Sequence, residues 1–99
     1  MRLEIHLKLY GVFRSAAGSD MMSLKLPDAD ATVRSAIMEL VSRPDCDELK
    51  KLILDGESLD PRPSTLILVS GREIGALAGL QTRLKENDEV SLLPVAHGG

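Results

Sequence analysis

The residue types that do chemistry are few in this chain and poorly spaced for most of it. His6 and His97 stand at opposite ends, and no HxxxH, CxxC or HExxH spacing occurs, so metal chemistry has no support. Cys46 is the single cysteine, which excludes an intramolecular disulfide and a thiolate zinc cage. Its acidic neighbours in RPDCDEL work against a reactive thiolate, so a structural role is expected. Serine and histidine occur without a nucleophile elbow, and GALAG lacks the GxGxxG spacing of a dinucleotide site. With no catalytic constellation, the chain is not expected to be an enzyme by itself. What remains is the Gly98-Gly99 pair that closes PVAHGG. Glycine loses the most freedom on ordering, and a chance pair at one fixed position has odds of about one in 200. Frayed ends tolerate small residues. The sharper expectation is that the carboxylate of Gly99 is the reacting group and that the pair threads a gap too narrow for side chains.

A group of this kind needs a body to carry it, and the bulk composition describes one. Ninety-nine residues, 43% hydrophobic and 27% charged, make a single globular domain with one core. Residues 1–94 are expected as that domain and residues 95–99 as a flexible tail. Fifteen acidic residues against twelve basic ones give a net charge of −3, with no basic field for a phosphate backbone. Tyr10 and Phe13 are the only aromatics, leaving little for bases to stack on, so direct nucleic-acid binding is not expected. Glu4, His6 and Lys8 interrupt the N-terminal apolar run, which argues against a signal peptide, and no stretch approaches 18 apolar residues. A monomer in the reduced cytoplasm, with no membrane partner, is the expectation.

Strict alternation places Leu3, Ile5, Leu7 and Leu9 on one face of a half-buried strand. GVFRSAAGSD then reads as a loose connection to a second strand with Met22, Leu24 and Leu26 inward, ended by Pro27. Thr32 is an N-cap candidate, and Val33, Ile37, Leu40 and Val41 recur at helical spacing before Arg43-Pro44. Asp47–Leu54 predicts a shorter helix with Leu49, Leu52 and Ile53 together. After the turn-rich DGESLDPRPS, TLILV is aliphatic on both faces and reads as a central strand, so one face must be covered by something, with a neighbouring loop as the bland alternative. IGALAGLQTRL reads as a short strand plus a tight turn, and KENDE as a charged turn before the last strand, VSLLPV. If Val90 and Leu92 face the core, then Ser91, Leu93 and Val95 face outward, with Leu93 and Val95 forming a docking patch beside the tail. This order places helices on one face of a mixed sheet, an α+β arrangement.

DEVSLLPVAHGG resembles the end of the ubiquitin-like sulfur carriers, above all the ubiquitin-related modifier branch, with Asp88, Val90 and His97 in matching places. LKLYGVFRSAAGSD is similar to the first hairpin of the molybdopterin synthase small subunit and its thiamine-pathway relatives. The molybdopterin-type ending carries two prolines, whereas this chain has Leu93-Pro94-Val95 with one. The resemblance implies a β-grasp fold, a mixed sheet of four to five strands on one main helix. It also implies an adenylating activating enzyme, sulfur donor and acceptor enzymes, and in some members lysines of target proteins.

A terminal carboxylate, with a pKa of about 3.3–3.7, is an anion and a poor electrophile at neutral pH, so it needs outside activation. In the family that activation joins the carboxylate to AMP, and sulfur then displaces AMP to leave a thiocarboxylate on the last glycine. ATP belongs to the partner, and no cofactor is expected on this chain. Gly98 is needed because a Cβ would meet the walls around the adenylate. His97 has two readings, a grip on the partner or a solvated tail residue. Sulfur carrier, lysine-linked modifier and plain interaction module with an incidental diglycine all stay open at the level of sequence, as does the sulfur acceptor, tRNA or molybdopterin.

Overall fold

The computed structural model describes residues 1–54 and 60–95. Strand β1 (Arg2–Leu9) buries Leu3, Ile5, Leu7 and Leu9 as its alternation predicts. It pairs antiparallel with β2 (Met21–Pro27), in a register that sets Leu3 against Leu26 and Ile5 against Leu24. Cross-strand leucines therefore share the core face, and a slip by one residue would turn all of them outward. Met22 is only half-buried at the margin of the core.

The connection between β1 and β2 is not loose: it carries α1 (Gly11–Ala17). Gly11 turns the chain at φ +57, Phe13 is buried, and Gly18 closes the helix at φ +74 with its N–H on the Arg14 carbonyl. That ending is the left-handed glycine cap of many helices. Gly11 is required for a second reason, because a Cβ there would lie 2.9 Å from Cγ of Pro94.

Helix α2 (Val33–Val41) starts as expected at Thr32. Ser35 N–H donates to Thr32 Oγ1 (3.1 Å) and Thr32 N–H donates to Ser35 Oγ (2.9 Å), a reciprocal cap that satisfies two otherwise unpaired donors. Val33, Ile37 and Leu40 are buried, and Val41 packs at the core margin. Helix α3 (Asp47–Ile53) buries Leu49 and Ile53, one turn apart, whereas Leu52 is 37% exposed and leaves the expected stripe. Ser64 Oγ donates to the Ile53 carbonyl (2.6 Å), tying the end of α3 to the start of the next strand.

Strand β3 (Thr65–Val69) turns through Ser70 and Gly71, both at positive φ, into the two-residue strand β4 (Arg72–Glu73). Two positive-φ residues match the right-handed twist of a tight hairpin. The expected strand in IGALAGLQTRL is absent: the segment forms 3₁₀ turns at Ile74–Ala76 and Gly79–Gln81. Thr82 Oγ1 donates to the Gly79 carbonyl (2.7 Å) and accepts from Ala78 N–H (3.1 Å), so local hydrogen bonds replace a ladder there. Strand β5 (Glu89–Pro94) completes a mixed sheet of order β2-β1-β5-β3-β4. β5 lies parallel to β1 and antiparallel to β3, at the centre of the sheet. The buried faces of all three helices join the inward faces of the strands in one core, which is the predicted α+β layering.

Candidate functional site

The functional candidates gather where β5 ends. Val90 and Leu92 are fully buried, held between Leu7 and Leu9 of β1 and Val69 and Ile67 of β3. Burying a side chain of this size contributes about 1.5–3 kcal/mol, so the strand that leads to the tail is anchored in the core. The hydrogen bonding continues past it: Tyr10 N–H donates to the Leu92 carbonyl (3.2 Å) and Val95 N–H to the Ser64 carbonyl (3.1 Å). Rigid backbone thus reaches Val95. His97, Gly98 and Gly99, three of the residues singled out in the sequence, lie outside the described residues.

Alternation sends Ser91, Leu93 and Val95 to the face opposite the helices, as expected, but the three differ in access. Val95 is 41% exposed and Leu93 half-buried, whereas Ser91 is only 6% exposed. Ser91 sits in register with Lys8 on one side and Leu68 on the other, and longer neighbours on a central strand cover a small residue. The docking patch is larger than the sequence suggested. Leu66 stands directly opposite Leu93 and is 40% exposed, with half-buried Leu68 two residues on. The outer face of β3 is therefore open at Leu66 instead of covered. The alternating leucines of TLILV were the available signal, and of the covers open at the level of sequence the structure shows none over Leu66 among the described residues.

Lys8 borders this aliphatic strip, with Nζ 5.5 Å from the Tyr10 ring centroid. Tyr10 and the nearby acids hold the ammonium above its ordinary pKa, so it stays charged across the physiological range. The strip is an exposed apolar surface with a cation at its rim, beside the point where the chain leaves the sheet. Such a surface suits docking another protein better than binding a small molecule. Cys46 takes no part: it is 5% exposed, and burial first, then the Asp45 carboxylate, push its thiol up and away from the thiolate form. Among the described residues no cluster of His, Cys, Asp and Glu is arranged to hold a metal ion, and no helix is long and apolar enough to cross a membrane.

This fold has known counterparts. Over 97 residues the chain is 33% identical to small archaeal modifier protein 3 of Haloferax volcanii, covering 98% of this chain and 100% of that one. It is 32% identical over 72 residues to a protein of Archaeoglobus fulgidus assigned as a sulfur carrier, covering 73% of this chain and 80% of that one. The solution structure of small archaeal modifier protein 1 of Methanosarcina acetivorans matches with a TM-score of 0.82 at 31% identity, covering 100% of this chain and 99% of the other. No protein-family model matches. The chain belongs to the ubiquitin-like β-grasp family of small archaeal modifiers and sulfur carriers. Two of these relatives are modifier proteins and the third is assigned as a sulfur carrier.

Proposed function

We propose that this chain carries an activated acyl group on Gly99. An oxygen of the Gly99 carboxylate attacks the α-phosphorus of ATP held by an activating enzyme, pyrophosphate leaves, and an acyl adenylate forms. A hydrosulfide-equivalent nucleophile then adds to the acyl carbon and expels AMP, leaving a thiocarboxylate whose sulfur passes to an acceptor. The resemblance to the ubiquitin-related modifier branch favours a tRNA uridine as that acceptor, and the single proline at Pro94 speaks against molybdopterin.

The observation that carries this reading is the open aliphatic strip of Leu66, Leu93 and Val95 at the root of the diglycine tail. The partner has a place to grip the rigid sheet while Gly98 and Gly99 reach into its active site, and the four residues after Val95 extend to about 13 Å. Lys8 adds a positive rim that favours an acidic border on the partner. His97, two positions after Val95 in the sequence, is read as a grip on the partner.

A second reading is favoured by the modifier name of the Haloferax volcanii relative: the same adenylate is attacked by a lysine amine of a target protein, giving an isopeptide bond. The two readings share their first step and diverge at the nucleophile. Intact mass of the chain purified from its native cytoplasm separates them. A species with one oxygen replaced by sulfur supports the carrier, a ladder of heavier conjugates supports the modifier, and only unmodified chain under both growth and sulfur limitation contradicts both.

A further inference from the structure

The sheet ends on one side in the two-residue β4 and on the other in β2, a seven-residue strand paired only with β1. Hydrogen bonds at both ends of the β1–β2 pair show which backbone groups this long edge leaves open. Leu9 N–H donates to the Asp20 carbonyl (2.9 Å) and Asp28 N–H to the Met1 carbonyl (2.9 Å). Bonded pairs alternate in an antiparallel ladder, so Met22, Leu24 and Leu26 turn their N–H and C=O groups to β1, and Met21, Ser23 and Lys25 turn theirs away. Met21 is answered locally, by Ser19 Oγ on its N–H (3.3 Å) and its carbonyl (2.8 Å). Among the described residues the Ser23 N–H and both backbone groups of Lys25 have no partner. The Ser23 carbonyl has only the Arg43 guanidinium, at 3.4 Å.

The side chains along this edge add sign and shape. In a chain of net charge −3, the stretch with open backbone groups carries two cations, Lys25 on the outward face and Arg43 at the rim. No carboxylate among the described residues lies within ion-pair distance of either. Glu4, across the ladder from Lys25, has its Oε2 3.9 Å from His6 Nε2 instead. On the core side, Met22 of β2 and Met38 of α2 are only half-buried at the margin of the core. A cleft of about 470 Å³ separates the end of β2 from α2, between Leu26 and Met38. Asp30 and Glu39 line it beside Arg34, so the positive stretch is confined to Ser23–Lys25.

We propose that the free edge of β2 receives an extended acidic segment of a partner protein as a sixth strand. Its main chain pairs with the open groups of Ser23 and Lys25, which is the pattern only another extended backbone can match. Alternate side chains of an added strand fall on opposite faces: acidic ones meet Lys25 and draw Arg43 off the Ser23 carbonyl, and apolar ones continue the core margin at Met22 and Met38. A second copy of this chain is the poorer occupant, because two such edges would set Lys25 and Arg43 against their own kind and bring together two strands that end in Pro27. The edge lies across the sheet from the Leu66 strip and does not involve Gly99, so its failure would leave the carrier reading intact.

The test is an NMR titration of the ¹⁵N-labelled full chain with the capped peptide acetyl-Glu-Val-Glu-Ile-Glu-Val-amide, beside a control in which lysine replaces each glutamate. Saturable shifts are expected at the amides of Ser23, Leu24, Lys25 and Arg43, with affinity about tenfold lower for the lysine control and for Lys25→Glu. Lys25 is exposed, so this variant is expected to keep the wild-type spectrum elsewhere. Hydrogen exchange is the readout that charge attraction alone would not move: the Ser23 and Lys25 amides, open in the free chain, should exchange at least about tenfold more slowly with the peptide bound. Shifts confined to other regions, no saturation up to the solubility limit of the peptide, equal binding of the lysine control, unchanged affinity in Lys25→Glu, or unslowed exchange at Ser23 and Lys25 would each overturn the proposal. Concentration-dependent shifts at the same amides without peptide would assign the edge to a second copy and overturn it equally.

Discussion

Gly11 braces the strand from which the tail departs. Gly11 combines a left-handed backbone with a Cβ position 2.9 Å from Pro94, the last residue of the strand that carries the tail. Gly11→Ala is therefore expected to cost about 1–3 kcal/mol, from the left-handed penalty and the displaced Pro94 ring. A thermal melt should show a fall of several degrees, since about 1 kcal/mol moves the midpoint of a domain this size by about 4–8 °C. An unchanged midpoint would mean that the approach to Pro94 is relieved at no cost. Cys46 makes the opposite case. Burial and Asp45 favour its neutral thiol, so iodoacetamide at mildly alkaline pH should label it only as the chain unfolds. Because the raised thiol pKa favours the folded state below the ordinary thiol range, that contribution fades as pH rises through and beyond it. Cys46→Ser is expected to leave activation intact while destabilising by about 1–3 kcal/mol, because a hydroxyl replaces a thiol in the core. Rapid labelling of the folded chain would contradict this placement.

At the scale of elements, the long regular pieces were legible because each repeats one signal. Leu3, Ile5, Leu7 and Leu9 fix β1 by alternation, and Thr32 with Val33, Ile37 and Leu40 fixes α2 by cap and period. Helix α1 was not legible, since two turns give Phe13, Ala16 and Ala17 too little length to display a period; Gly18 was the one usable sign. The 3₁₀ turns after β4 follow from hydrogen bonds around Thr82 that no periodic pattern announces. At the site, alternation correctly aimed Leu93 and Val95 outward but could not report that Lys8 and Leu68 flank Ser91, nor that Leu66 lies uncovered opposite Leu93. These differences shape the prediction for the strip. Val95→Glu and Leu66→Glu should each weaken binding to the activating enzyme at least about tenfold with little change in melting temperature, since both side chains already face water. Leu93→Glu should weaken binding and also lower the melting temperature, because Leu93 is half-buried against Leu66. Unaltered binding by calorimetry in all three variants would remove the strip from the interface.

At the scale of the whole molecule, the proposal assigns the reaction to the last residue of the chain and the grip on the partner to the sheet that leads there. β5 is anchored between β1 and β3, the strip beside Val95 is proposed as the partner's grip, and the carboxylate of Gly99 is proposed as the group that reacts. The most direct test of that assignment is ATP-dependent pyrophosphate exchange catalysed by the cognate activating enzyme, comparing the full chain with a variant lacking Gly99. Circular dichroism of both controls for the fold, and Gly98→Ala, which adds one methyl and keeps the terminal carboxylate, serves as an intermediate case. The account predicts exchange with the full chain, slowed exchange with Gly98→Ala, and none above background without Gly99, all three sharing one spectrum. Full exchange in the chain lacking Gly99 would contradict it, because the reacting carboxylate would then not be that of Gly99.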